Sequence, residues 1–270
     1  DRIDPAAPGG AFGWGAPGSS ARQRASAYEA GLRIGVADDA VLIVRTSRSF
    51  RFANVDEIYE PSPAFSAEFQ YLRPQRSRTH EMGLAFGPGL PWLQATLFRM
   101  DVDDEIHLDP FSTGVGNRNM PPLRRTGVEL EARRTLGAGI EVFAAYTFTR
   151  ARFREGVLPG SDFSMENVDL SGRTVPLVPS HKLDLAADWR MGERTRLRAE
   201  ARYVSSQYME NDEGNTLGRR IPGYTVADVK LRHRIGRWTA SLGVANVFDR
   251  KYYAYAVRSQ FVADRFNAYP

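Results

Sequence analysis

The side chains best suited to metal or acid–base chemistry in this 270-residue chain are its four histidines. His80, His107, His181 and His233 are scattered along the sequence. They lack the short, regular spacing by which protein ligands converge on one ion. Ser180 directly precedes His181, a pair that would suit a hydrolase. No Gly-x-Ser-x-Gly elbow and no third partner accompany it, so His181 reads as a structural group where a strand begins. There is no phosphate-cradling glycine loop. The chain has no cysteine, which removes disulfides and thiolate metal sites. The residues point away from an enzyme and away from a resident cofactor.

What remains is charge, and its placement is regular. Lys and Arg number 36 against 32 Asp and Glu, for a net charge of +4. Lys182, Lys230 and Lys251 are the only lysines; the other cations are arginines. They are spread over many segments instead of clustering on one element, a poor pattern for a nucleic-acid surface. In many segments they alternate with apolar residues. Arg196, Arg198, Glu200 and Arg202 interleave with Leu197, Ala199, Ala201 and Tyr203. Asp184, Asp188 and Arg190 oppose Leu183, Leu185, Ala187 and Trp189, and Glu129, Glu131 and Arg133 oppose Val128, Leu130 and Ala132. A period of two sorts each segment into one apolar and one charged face of a β-strand.

The elements that must carry these faces are strands at about 22–36, 40–50, 77–86, 91–108, 124–136, 140–154, 183–190, 196–203, 225–234 and 238–255. The predicted organisation is a loop end at 1–21, a β-barrel segment over 22–255 and a loop at 256–270. Short turns are expected at 37–39, 87–90, 137–139, 191–193 and 235–237. Long connections are expected at 51–76, 109–123, 155–178 and 209–220. In the first of these, Asn54 or Asp56 is placed to cap one helical turn. Strict alternation of short and long connections collects the long loops at one end of a sheet, as in outer-membrane barrels. No stretch of about 18 apolar residues is present, so no membrane-spanning helix is expected, which does not bear on a barrel. A soluble all-β protein would instead bury the apolar face in a closed interior. The charged second faces favour the inverted arrangement, in which charge lines a lumen and apolar residues meet lipid.

Several ordered motifs resemble those of TonB-dependent outer-membrane receptors. Ile221-Pro222-Gly223-Tyr224, the strand through Asp228, and Asn246-Val247-Phe248-Asp249-Arg250-Lys251-Tyr252-Tyr253 are similar to the end of that family's barrel. Ser49 to Tyr59 resembles its Phe-Arg segment, with Ala53 where Pro is usual. Leu72-Arg73-Pro74-Gln75-Arg76-Ser77 with Glu81-Met82-Gly83-Leu84, Arg125 to Glu131, and Val175 to Lys182 resemble further family boxes in the family's order. The resemblance covers nearly all of 22–255.

The resemblance implies an antiparallel transmembrane β-barrel segment of about ten strands out of 22, with the plug and the final strand outside this sequence. No apolar leader opens the chain, so the start of an exported protein is also expected to lie outside it. The resemblance further implies a site in the bacterial outer membrane, energy from the inner-membrane protein TonB, and active uptake of a scarce nutrient. A ferric siderophore is the expected ligand; the absence of His from 51–79 counts against haem. Cobalamin, another metal chelate, or a passive porin-like barrel are the alternatives. Because ferric siderophores are commonly anionic, loop arginines and aromatics are the expected contacts. Arg51, Tyr59, Arg118 and Tyr208 are the candidates, with loop packing as the competing role of each.

Overall fold

A computed structural model describes residues 22–61, 67–69, 71–87, 92–108, 117–158, 167–259, 262 and 264–269. Two long strands come first, β1 (Tyr28–Ala37) and β2 (Ala40–Arg51). A helical turn, α1 (Val55–Ile58), leads to a hairpin of β3 (Tyr59–Pro61) and β4 (Ala67–Phe69). Strands β5 (Gln75–Phe86) and β6 (Leu93–Asp103) follow, then a hairpin of β7 (Ile106–Leu108) and β8 (Asn117–Asn119). After β9 (Leu123–Leu136) and β10 (Ile140–Phe153) comes a third hairpin, β11 (Val157–Leu158) with β12 (Val168–Asp169). Next are β13 (His181–Met191), β14 (Thr195–Val204), β15 (Tyr224–Ile235) and β16 (Trp238–Val244). A last hairpin joins β17 (Tyr255–Arg258) to β18 (Phe266–Tyr269).

The long strands form one ten-stranded sheet in the order β1-β2-β5-β6-β9-β10-β13-β14-β15-β16. Every neighbouring pair is antiparallel. An antiparallel meander sends alternate connections to opposite ends, so the small hairpins and long loops gather at one end and the short turns at the other, as expected. The β9–β10 turn shows why the turns can be so short. Ala138 and Gly139 take φ of 55° and 75°, the paired left-handed residues whose twist matches a hairpin.

Several boundaries differ from those expected. The first strand starts at Tyr28, not near Arg22. The fourth stops at Asp103 because Asp104 turns the chain with φ 58°. The last long strand ends at Val244 and does not run to Tyr255. Beyond it Asn246 and Asp249 adopt φ of 49° and 47°. The Asp228 carboxylate takes the Asn246 amide at 2.7 Å, and the Asn246 side chain bonds both N–H and C=O of Arg250. The Asn-Val-Phe-Asp run is thus a turn. The stretch 256–270 holds most of the last hairpin. The expected helical turn is α1, and Asn54 is its cap: Glu57 N donates to Asn54 Oδ1 at 2.8 Å, and Asn54 N donates to Glu57 Oε2 at 2.9 Å, a reciprocal capping box. Residues 1–21 and the turn at 88–90 lie outside the described residues.

The register sorts the side chains as the alternation predicted. Leu185 pairs with Ala201 and Ala201 with Ala227 on one face; Asp184 pairs with Arg202 on the other. The apolar face stays open: Leu185, Trp189, Trp238 and Leu242 are 44%, 42%, 70% and 69% exposed. That is not the filled interior of a soluble barrel. A contiguous apolar wall of this extent needs an apolar surrounding. The buried core sits elsewhere, at the long-loop end. Val102, Met120, Leu123, Ala151, Phe153, Leu158, Leu170 and Val175 form one cluster; Met209, Leu217, Ile221 and Ala256 form another.

Candidate functional site

The charged face is a network of ion pairs, most of them cross-strand. Arg45 meets Glu81 at 2.6 Å, Arg202 meets Asp184 at 2.6 Å, and Arg198 bridges Asp188 at 2.7 Å and Glu200 at 2.6 Å. These groups are roughly half-exposed, so each pair contributes little stability on its own. Their effect is to make a polar, hydrated wall. Phe98 also lies on this face, its ring over Gly127. A Cβ at Gly127 would stand 2.6 Å from Phe98 Cζ and 2.0 Å from the Phe148 carbonyl oxygen.

At the long-loop end the loops fold over this same face. Val102, Leu123 and Phe153 are cross-strand neighbours on it, and residues of the 154–180 connection close over them. Two asparagines tie adjacent loops together. Asn119 accepts from Arg73 N and donates to the Arg73 carbonyl, both at 2.8 Å. Asn215 does the same to Thr174. Asp212 is fully buried. Its Oδ1 accepts from the amides of Thr216 and Leu217 and from Arg258 Nη1. Burial nonetheless raises its carboxyl above the ordinary value, against those donors. Asp169, in the neighbouring loop, is held below the ordinary range chiefly by hydrogen bonds from Ser171.

The four residues singled out from sequence do not form one cluster. Arg51 places Nη1 on both carboxylate oxygens of Glu57, at 2.8 and 2.7 Å, and Nη2 on the Ile106 carbonyl. It is a loop strut. Arg118 lies on β8, next to Asn119, which pairs with Ile106. Arg51 and Arg118 are therefore on neighbouring loops. Tyr59 opens β3, and its side chain lies outside the described residues. Tyr208 belongs to the β14–β15 loop, far along the sheet order. There the Arg220 guanidinium lies 4.2 Å from the Tyr208 ring centre and donates to its hydroxyl. Arg220 and its neighbour Arg219 are exposed. Sequence reasoning missed Arg220, although an Arg pair before Ile-Pro-Gly was the available signal. Among the described residues no group of His, Asp and Glu could hold a metal ion. His181 is structural: Tyr146 Oη lies 2.8 Å from its Nδ1, and its ring stands beside Phe148.

A wide antiparallel sheet of this kind has counterparts among known proteins. The sequence profile of the TonB-dependent receptor-like β-barrel family matches residues 7–247. The chain belongs to this family. A TonB-dependent receptor barrel sits in the outer membrane, its long loops extracellular and its short turns periplasmic. The ferrioxamine receptor of Yersinia enterocolitica is 29% identical over 220 residues, covering 75% of this chain and 28% of the receptor. The ferrichrome outer membrane transporter/phage receptor of Escherichia coli K12 is 26% identical over 233 residues, covering 81% of this chain and 27% of the transporter. The chain thus spans less than a third of the length of either relative. In fold it matches the ferric-catecholate import receptor Fiu of Escherichia coli K12, with a TM-score of 0.63 at 22% identity over 89% of this chain and 32% of that one.

Proposed function

We propose that this chain is barrel wall and extracellular mouth of a receptor that imports a ferric siderophore across the outer membrane on energy from TonB. The observation that carries the reading is the family match over 7–247, joined to relatives named for ferrioxamine and ferrichrome. The geometry supports it. An ion-paired, hydrated inner wall suits passage of a polar chelate, and folded loops at the mouth suit its capture. The edges β1 and β16 are unpaired in this sheet. In hydrocarbon each unpaired backbone group costs several kcal/mol, so in the working barrel both edges pair with further strands.

Arg220 over Tyr208 supplies a cation and an aromatic face at the mouth, the recognition elements for an anionic chelate. Arg118 and Tyr59 offer the same chemistry on the other loops; Arg51 acts by holding α1. The test is binding of ferrioxamine, ferrichrome, a ferric catecholate and cobalamin to the complete receptor. Saturable binding of one ferric chelate, weakened about tenfold by Arg220→Ala through loss of one charge-assisted contact, is expected. Binding of cobalamin with no ferric chelate bound would overturn the assignment.

A further inference from the structure

The outer wall is not evenly filled. Six alanines, Ala132, Ala144, Ala187, Ala199, Ala201 and Ala227, fall in two adjacent rows of the apolar face across β9, β10, β13, β14 and β15. The row on their extracellular side carries Leu130, Tyr146, Leu183 and Tyr203. The row on their periplasmic side carries Leu136, Ile140, Trp189 and Leu197. Between these two ridges the alanines line a groove of about 650 Å³, which Leu185 shares.

Arg134 lines the same groove. It lies on the outer face of β9, opposite Val142 and three residues before the turn that opens at Gly137. It is exposed and has no ion-pair partner among the described residues. Its neighbour Arg133 is on the other face, where it meets Glu141 at 3.4 Å. A lipid-facing arginine destabilises a barrel according to its depth in the hydrocarbon. The long stem of Arg134 can carry its guanidinium down to the headgroup level. Trp92 in the groove and Trp189 on the lower ridge stand at the same end of the sheet, where tryptophans mark that level.

We propose that the groove holds one acyl chain of a periplasmic-leaflet glycerophospholipid whose phosphate pairs with Arg134. Charge selects an anion, and a guanidinium fork selects phosphate. Shape selects a chain. Five adjacent strands span about 19 Å at the usual inter-strand spacing. One leaflet contributes about 15 Å of hydrocarbon, half the usual core, so a chain fits along the groove. Position selects the leaflet, because Arg134 sits at the short-turn end, which is periplasmic. One cation selects a headgroup with one phosphate.

The test titrates phosphatidylglycerol onto the complete receptor, delipidated in a maltoside detergent, and follows the tightest-bound lipid by native mass spectrometry. Diacylglycerol, which has the chains without the phosphate, and inorganic phosphate serve as competitors. Arg134→Gln should weaken phosphatidylglycerol binding about tenfold, through loss of one charge-assisted contact. Ala201→Phe fills the groove and leaves Arg134 in place; it should also weaken binding about tenfold, by overpacking. Arg134→Lys should keep most of the binding. Leu97→Phe, on the outer face of β6 and outside the groove, should leave it unchanged. Heat-modifiable mobility on gels reports whether each variant is folded. If Ala201→Phe does not fold, Arg134→Gln at its exposed site decides alone. The proposal is overturned if either folded variant binds phosphatidylglycerol like the parent, if diacylglycerol competes equally, or if inorganic phosphate displaces the lipid.

Discussion

Asn215 and Thr174, 41 residues apart, are joined by a two-point clamp: Thr174 N donates to Asn215 Oδ1 at 2.7 Å, and Asn215 Nδ2 donates to the Thr174 carbonyl at 2.9 Å. The clamp makes one unit of two extracellular loops. Asn215 also holds φ at 55°, which Asn tolerates better than most residues. Asn215→Ala should cost about 1–3 kcal/mol in local loop stability, for two partly buried bonds left unmade. Hydrogen exchange at the Thr174 amide would report it. Asn215→Gly relieves the backbone but lacks the carboxamide, so it should show the same faster exchange. Parent-like protection in the Gly variant would mean the clamp is dispensable.

Gly127 is fixed by its surroundings. Its missing Cβ leaves room for the Phe98 ring and the Phe148 carbonyl. Gly127→Ala should destabilise the assembled barrel by about 1–3 kcal/mol, the usual cost of overpacking. Denaturant titration of the complete receptor measures it. Shrinking the ring with Phe98→Leu should not rescue the variant, because the nearer obstacle is backbone. Full rescue would show that the ring alone sets the constraint.

The two faces differ in what they tolerate. Leu185 sits mid-strand on the outer wall, while Ala186 lies on the inner wall between Phe143 and Glu200. Leu185→Arg should cost about 2–4 kcal/mol in refolding into lipid vesicles. Ala186→Arg should cost much less. Equal costs would mean that the charged face does not line an aqueous lumen.

Asp212 gives the mouth a pH dependence. Burial raises its carboxyl above the unfolded value, in spite of the Thr216 and Leu217 amides and Arg258. A group with a raised folded pKa binds its proton more tightly in the folded loop. Its contribution is therefore most favourable below the unfolded carboxyl pKa and is lost as pH rises through the raised folded value. Exchange protection of the Leu217 amide, corrected for intrinsic rates, should fall across that window and be flat in Asp212→Asn. Protection that rises with pH would reverse the assignment.

The sheet was legible because alternation is local. Leu197, Ala199 and Ala201 against Arg196, Arg198 and Glu200 fix both faces without any tertiary knowledge. The ends of strands were less legible. Val244 stops β16 because Asn246 takes a left-handed conformation and bonds Asp228 and Arg250, a contact between separate strands that alternation cannot show. The candidate ligand residues were least legible. For Arg51 the sequence leaves ligand contact and loop packing both open; only the folded α1 brings Glu57, six residues on, to its guanidinium. Arg220 acquires its place over Tyr208 only through the fold of the loop between them.

Energy-coupled import of a ferric siderophore through this barrel is open to a direct test. Its most direct test is uptake of radioiron-labelled ferrioxamine, ferrichrome and a ferric catecholate by cells that express the complete receptor and no other siderophore receptor, with and without TonB. Saturable uptake of at least one chelate that disappears without TonB is expected. Uptake that persists without TonB, rising linearly with concentration and extending to unrelated small solutes, would contradict it and make the barrel a passive pore.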